Sequence, residues 1–170
     1  MRQTGQRNLT KALLAVYVIF LTWIILFKMQ PDLCFWRAEP YRSVNLIPFG
    51  GSAVINGRID MSEIILNILI FVPYGVYVSM LKDQWGFPKK VAPAFGTSLA
   101  FEALQYVFGI GATDITDLLG NTLGGAAGIM LFWLLSKLLK ENAVKAVNVI
   151  AALGTVIVIG FSLLLVFANM

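Results

Sequence analysis

Five apolar stretches, each close to the roughly 20 residues that an α-helix needs to cross a bilayer, limit what this chain can fold into. They run over about 9–27, 64–81, 91–110, 117–136 and 146–168. In hydrocarbon no water satisfies backbone N–H and C=O groups, so such stretches must close their hydrogen bonds internally, as helices. Composition agrees: of 170 residues, 58% are hydrophobic and 13% charged, far from a soluble average. The sequence therefore predicts an all-α integral membrane protein, a single domain over residues 1–170 with about five transmembrane helices.

Basic residues orient the spans. Arg2, Arg7 and Lys11 precede the first, Lys82, Lys89 and Lys90 lie between the second and third, and Lys137, Lys140 and Lys145 lie between the fourth and fifth. These are nine of the thirteen Lys and Arg residues. The positive-inside rule makes their side cytoplasmic, with the N-terminus inside and the C-terminus outside. The net charge of +4 is then a topology signal, not a nucleic-acid footprint. Lys28, Arg37, Arg42 and Arg58 fall instead in a long first loop, residues 28–63, placed outside. Lys28-Met29-Gln30-Pro31 offers no small-residue cleavage site, so the 9–27 span is expected to stay as an anchor.

That first loop is partly apolar, and Trp36, Tyr41 and Phe49 suit the headgroup region. Arg42, Asn45 and Pro48 are its candidates for function. In the second span, Pro73 removes a helix hydrogen bond, and Asn67 suits an amide bridge between helices.

The chemistry concentrates between Ser98 and Gly128. As a helix, Ser98, Glu102, Gln105 and Gly109 fall on one stripe; as a second helix, Asp114, Asp117, Asn121, Gly124 or Gly125, and Gly128 do the same. A short GIGAT turn would fold the two into an antiparallel hairpin with these faces opposed. Glu102 then lies ~12 Å below the outer face, at 1.5 Å per residue. An ionisable group at such depth is costly and marks a functional site by default. Asp114 can cap the fourth span, and Asp117 suits its positive end. Gly120, Gly124 and Gly128 form a small-residue ladder that is expected to let the third and fourth helices approach. The chain has no His and only Cys34, which removes a His general base, a Cys/His metal site and an intrachain disulfide. Any catalysis would rest on carboxylates and hydroxyls, and no catalytic residue is assigned.

Three blocks resemble the VanZ-like family of membrane proteins: VNLIPF at 44–49, NILIFVPYG at 67–75, and FEALQ with DITDLLGNTLGG between 101 and 125. The resemblance covers about 44–135. The 9–27 anchor and the 146–168 helix fall outside it. By position, the family's polar residues correspond to Asn45, Asn67, Glu102, Gln105, Asp114, Asp117 and Asn121. The resemblance implies an Arg before the paired Asp residues in many relatives, where this chain has Gly111-Ala112-Thr113; its cluster then lacks that counter-ion unless Arg42 or Arg58 swings in from the first loop. The resemblance implies a bacterial plasma membrane location and protection against teicoplanin-like lipoglycopeptide antibiotics.

Two functions are open at this point. In the first, an outward-facing polar cleft binds or moves a lipid-linked cell-envelope component, without a cofactor, and the partners are membrane lipids or that component. In the second, the chain is a metal-assisted enzyme acting on a lipid phosphate or cell-wall lipid. Mg²⁺ or Ca²⁺ would then bridge Glu102, Asp114 and Asp117, because both ions take oxygen ligands.

Overall fold

A computed structural model describes residues 2–27, 41–49, 54–55, 58–59 and 61–168. Five long helices dominate: α1 (Arg2–Phe27), α2 (Met61–Leu81), α3 (Phe87–Phe108), α4 (Ile115–Leu139) and α5 (Ala143–Ala168). Three helical stretches are long and apolar enough to cross a membrane. They are Thr4–Leu26, Met61–Leu81 and Ile115–Gly160, the last joining α4, a 3-10 turn and most of α5. α3 is not among them. Within α3, Lys89, Lys90, Thr97, Ser98, Glu102 and Gln105 lower the hydropathy.

The described residues are mostly helical, as expected, with short strands that the sequence reading did not include. Four short strands, β1 (Tyr41–Asn45), β2 (Val54–Ile55), β3 (Arg58–Ile59) and β4 (Ile110–Asp114), form two small sheets. β2 and β3 pair antiparallel. The GIGAT connection, expected as a plain turn, is β4, and it pairs in parallel with β1 from Tyr41↔Ile110 through Asn45↔Asp114. Parallel partners need a long crossover, here α2 and α3. The pairing carries the 44–49 block onto the start of α4.

Local signals set the helix ends. Pro lies in the first turn of α3, where its missing N–H is no loss. Gly109 ends α3 at φ 65°, a left-handed position that glycine adopts without a Cβ clash, and its N–H bonds back to the last turn. Asp114 caps α4, as expected, by accepting from the Thr116 N–H at 2.8 Å.

Packing follows the small residues. Gly120, Gly124 and Gly128 face α2, where an added Cβ would meet the backbone of Ile64, Ile68 and Val72 in turn. Both sets of numbers rise together, so α2 and α4 run parallel. The expectation that this ladder seats α3 is thus corrected: only Gly125 faces α3, at Ala94. A core of Leu21, Leu26, Phe71, Ala94 and Phe101 joins α1, α2 and α3. Val76, Phe132 and Ala143 join α2, α4 and α5.

The two ends of the bundle differ in chemistry. At one, Asn148 of α5 is wholly buried against the start of α1. It accepts from Thr10 Oγ1 at 3.0 Å and donates to Gln6 Oε1 at 2.9 Å. Lys90 Nζ reaches Ser79 Oγ at 3.2 Å at this same end, where α2 ends and α3 begins. The other end carries the strands and the candidate site.

Candidate functional site

The stripe read from α3 is real and buried: Ser98, Glu102 and Gln105 are 0%, 3% and 6% exposed. α4 opposes it with Asp114, Thr116 and Asn121, all equally buried. Since neither helix presents a basic side chain on this face, the contacts are built from N–H groups, hydroxyls and amides.

Glu102 sits where three elements meet. Its Oε2 accepts the backbone N–H of Asp114 at 2.9 Å, and its own carbonyl accepts from Thr113 Oγ1 at 3.1 Å. The carboxyl therefore ties α3 to the junction of β4 and α4. Asp114 is held from both sides: one oxygen takes the Thr116 N–H, and the other takes Asn45 Nδ2 at 3.1 Å across the strand pair. Asn45 in turn accepts the Ile47 N–H at 3.1 Å, and Thr116 Oγ1 accepts the Phe49 N–H at 3.0 Å. The VNLIPF block thus wraps the first turn of α4.

Farther along, Asn67 of α2 donates to Asp117 Oδ1 at 2.6 Å. This is the interhelical bridge that its place in the second span suggested. Asn121 Nδ2 donates to Ser98 Oγ at 2.9 Å, linking α4 to α3. Gln105 Nε2 donates to the Ile25 carbonyl of α1 at 3.1 Å. After these bonds two buried acceptors remain without a partner among the described residues, Gln105 Oε1 and Asn121 Oδ1. Buried acceptors of this kind are rare in proteins and call for an explanation.

Of the eight candidate residues, seven are brought together: Asn45, Asn67, Glu102, Gln105, Asp114, Asp117 and Asn121. Arg42 is not. It is exposed, and its guanidinium donates to the carbonyls of Tyr106 and Val107 at 3.2 and 3.4 Å. There it closes the last turn of α3, where a cation suits the negative helix end. Arg42 thus does not serve as counter-ion to the carboxylates, which leaves the first of the two alternatives for this residue. Arg58 lies in β3, and its side chain is outside the described residues. Cys34, Trp36 and the 28–40 part of the first loop are outside them too.

Among the described residues, no three acidic side chains are placed to hold a metal ion. Glu102, Asp114 and Asp117 instead each accept a protein N–H. Sequence reasoning missed Thr113 and Thr116. Their signal was a Thr on either side of Asp114 in TDIT, residue types that bond nearby backbone at helix starts.

Comparison with known proteins matches these elements. The VanZ/LLP1 family model covers residues 14–136. Protein VanZ of Enterococcus faecium is 37% identical over 159 residues, which span 94% of this chain and 92% of that protein. No solved structure matches. The chain belongs to the VanZ family.

Proposed function

We propose that this VanZ family chain is a multi-pass protein of the bacterial plasma membrane that binds or moves a lipid-linked cell-envelope component and so lowers susceptibility to teicoplanin-like lipoglycopeptides. In this reading all five helices cross the bilayer, the basic end is cytoplasmic, and the polar cluster lies in the outer half. α3, too polar to cross on its own hydropathy, crosses because its polar stripe is buried against α4 and α1.

The observation that carries this reading is the surplus of buried acceptors. The Glu102 carboxyl lies on α3 between Gln105, whose Oε1 is unpartnered, and Ser98, which holds Asn121 and its unpartnered Oδ1. A set rich in acceptors is complemented by donors, and hydroxyl or ammonium groups supply them, as a sugar or amino-acid headgroup does. A bare phosphate supplies none, and it would meet like charge.

The test is resistance to teicoplanin in a susceptible host carrying Glu102→Gln or Glu102→Leu, with melting temperature measured alongside. Gln still accepts the Asp114 N–H but brings two donors into an acceptor set. It is expected to keep the fold and lose protection. Leu leaves that buried N–H unpaired, at about 1–3 kcal/mol, and is expected to lose stability as well. A Glu102→Leu protein of normal stability that protects fully would refute the proposal.

A further inference from the structure

A second feature lies apart from the polar cluster and does not depend on its reading: a half-open apolar groove of about 450 Å³ lined by α1, α2, α4 and α5. Phe20 and Ile24 line it from α1, Val76 from α2, Leu135 from α4, and Val147 and Val158 from α5. These walls belong to the segments apolar enough to lie in a bilayer. An apolar groove of this kind offers water few polar partners, so hydrocarbon is its natural content. From Val147 to Val158 the α5 wall runs ~16 Å, at 1.5 Å per residue. That length suits a chain more than a compact ligand.

Three polar groups stand on the wall, and two are engaged within the protein. The Tyr17 hydroxyl donates to the Ile70 carbonyl, and Thr155 Oγ1 donates to the Ala151 carbonyl at 2.8 Å. Tyr77 is the exception. It is 4% exposed and its ring packs on Tyr17 at 5.9 Å, yet among the described residues its hydroxyl has no hydrogen-bond partner. The hydroxyl is open to the groove that Tyr77 lines. Tyr77 lies ~6 Å from the end of α2 at Leu81, counted at 1.5 Å per residue. Beyond that end come Lys82, Lys89 and Lys90, and Arg7, Lys11 and Lys145 flank the Thr10–Asn148 contact at the same end of the bundle.

We propose that this groove binds one acyl chain of an anionic glycerophospholipid. The chain lies along α5 among the apolar walls. Its ester carbonyl accepts from the Tyr77 hydroxyl, and its phosphate sits at the basic end, where Lys and Arg attract anionic lipid.

Native mass spectrometry of the purified chain, released from bilayers of mixed phosphatidylglycerol and phosphatidylcholine, tests this. One phosphatidylglycerol per chain is the expected result. Gly154→Leu projects a side chain into the groove from a position where an added Cβ meets nothing within 4 Å. It is expected to keep the wild-type melting temperature and to reduce lipid retention at least about tenfold, a difference of about 1.4 kcal/mol. Tyr77→Phe removes one oxygen without changing shape, and is expected to reduce retention about fivefold, the worth of one hydrogen bond. Wild-type retention in Tyr77→Phe overturns the proposal, whatever Gly154→Leu does to folding. So does equal retention of phosphatidylcholine by the wild-type chain.

Discussion

Replacing Gly124 with Ala adds a single methyl group, and the structure fixes the sign of its effect. The added Cβ would overlap the Ile68 carbonyl oxygen and lie 2.9 Å from both the Ile68 carbonyl carbon and Phe71 Cβ. Two of these neighbours are backbone, which cannot rotate aside as a side-chain tip can. α2 and α4 must therefore separate, and overpacking of this kind costs about 1–3 kcal/mol. Against it stands the better helix propensity of Ala, worth up to about 1 kcal/mol. The net is a loss of about 1–2 kcal/mol, or roughly 2–8 °C in melting temperature for a chain of this length. Separation of the helices would also lengthen the Asn67–Asp117 bond one turn away. Gly154→Ala is the matched control: its Cβ meets nothing, so propensity acts alone and the change is neutral or slightly stabilising. Thermal denaturation of both variants in one detergent measures the contrast. If Gly124→Ala melts at or above Gly154→Ala, the close contact of α2 with α4 is not what holds these helices.

Two further outcomes are expected. Asn148→Leu should cost about 1–3 kcal/mol, because it removes the buried amide's bonds to Thr10 and Gln6, and Thr10→Val combined with it should cost less than the sum; additive losses would mean that the two residues act separately. With Cys34 replaced, a cysteine at the exposed Val107 should react with a membrane-impermeant thiol reagent in intact cells and one at the exposed Asp83 only after permeabilisation, whereas the reverse pattern would invert the orientation read from the basic residues.

The long elements were legible because hydrophobic length and helical spacing are local properties. The 64–81 reading became Met61–Leu81, and Ser98, Glu102 and Gln105 do share one buried face. The parallel pairing of β1 with β4 was not legible. Its partners lie 69 positions apart, and five residues of mixed polarity carry no period that distinguishes a strand from a turn. The glycine ladder was legible as a small face but not as to its partner, since spacing along α4 says nothing about whether α2 or α3 lies opposite. The place of Arg42 was not legible for a related reason. A cation near carboxylates in the sequence suggests an ion pair, but the nearer charge in space is the carbonyl end of α3.

Most of the polar residues of this cluster also hold the fold, which decides which substitutions can report on function. Asp114 caps α4, accepts from Asn45 and orders the strand pair; its loss would cost about 1 kcal/mol or more in capping alone, so an inactive Asp114 variant says little about ligand contact. Asn67 and Asp117 bridge α2 and α4 and carry the same ambiguity. Gln105 is different. The Ile25 carbonyl can only accept, so the amide nitrogen of Gln105 must face α1, and its oxygen is thereby turned into the protein interior without a partner. Asn121 is less constrained, because the Ser98 hydroxyl it meets can donate as well as accept. An apolar residue with the shape of Gln105 would lose one bond to α1 but would relieve an unpaired acceptor, two effects of opposite sign on stability. Gln105→Met therefore separates a structural role from a functional one: near-wild-type melting with loss of protection places the oxygen in the function, and full protection removes it.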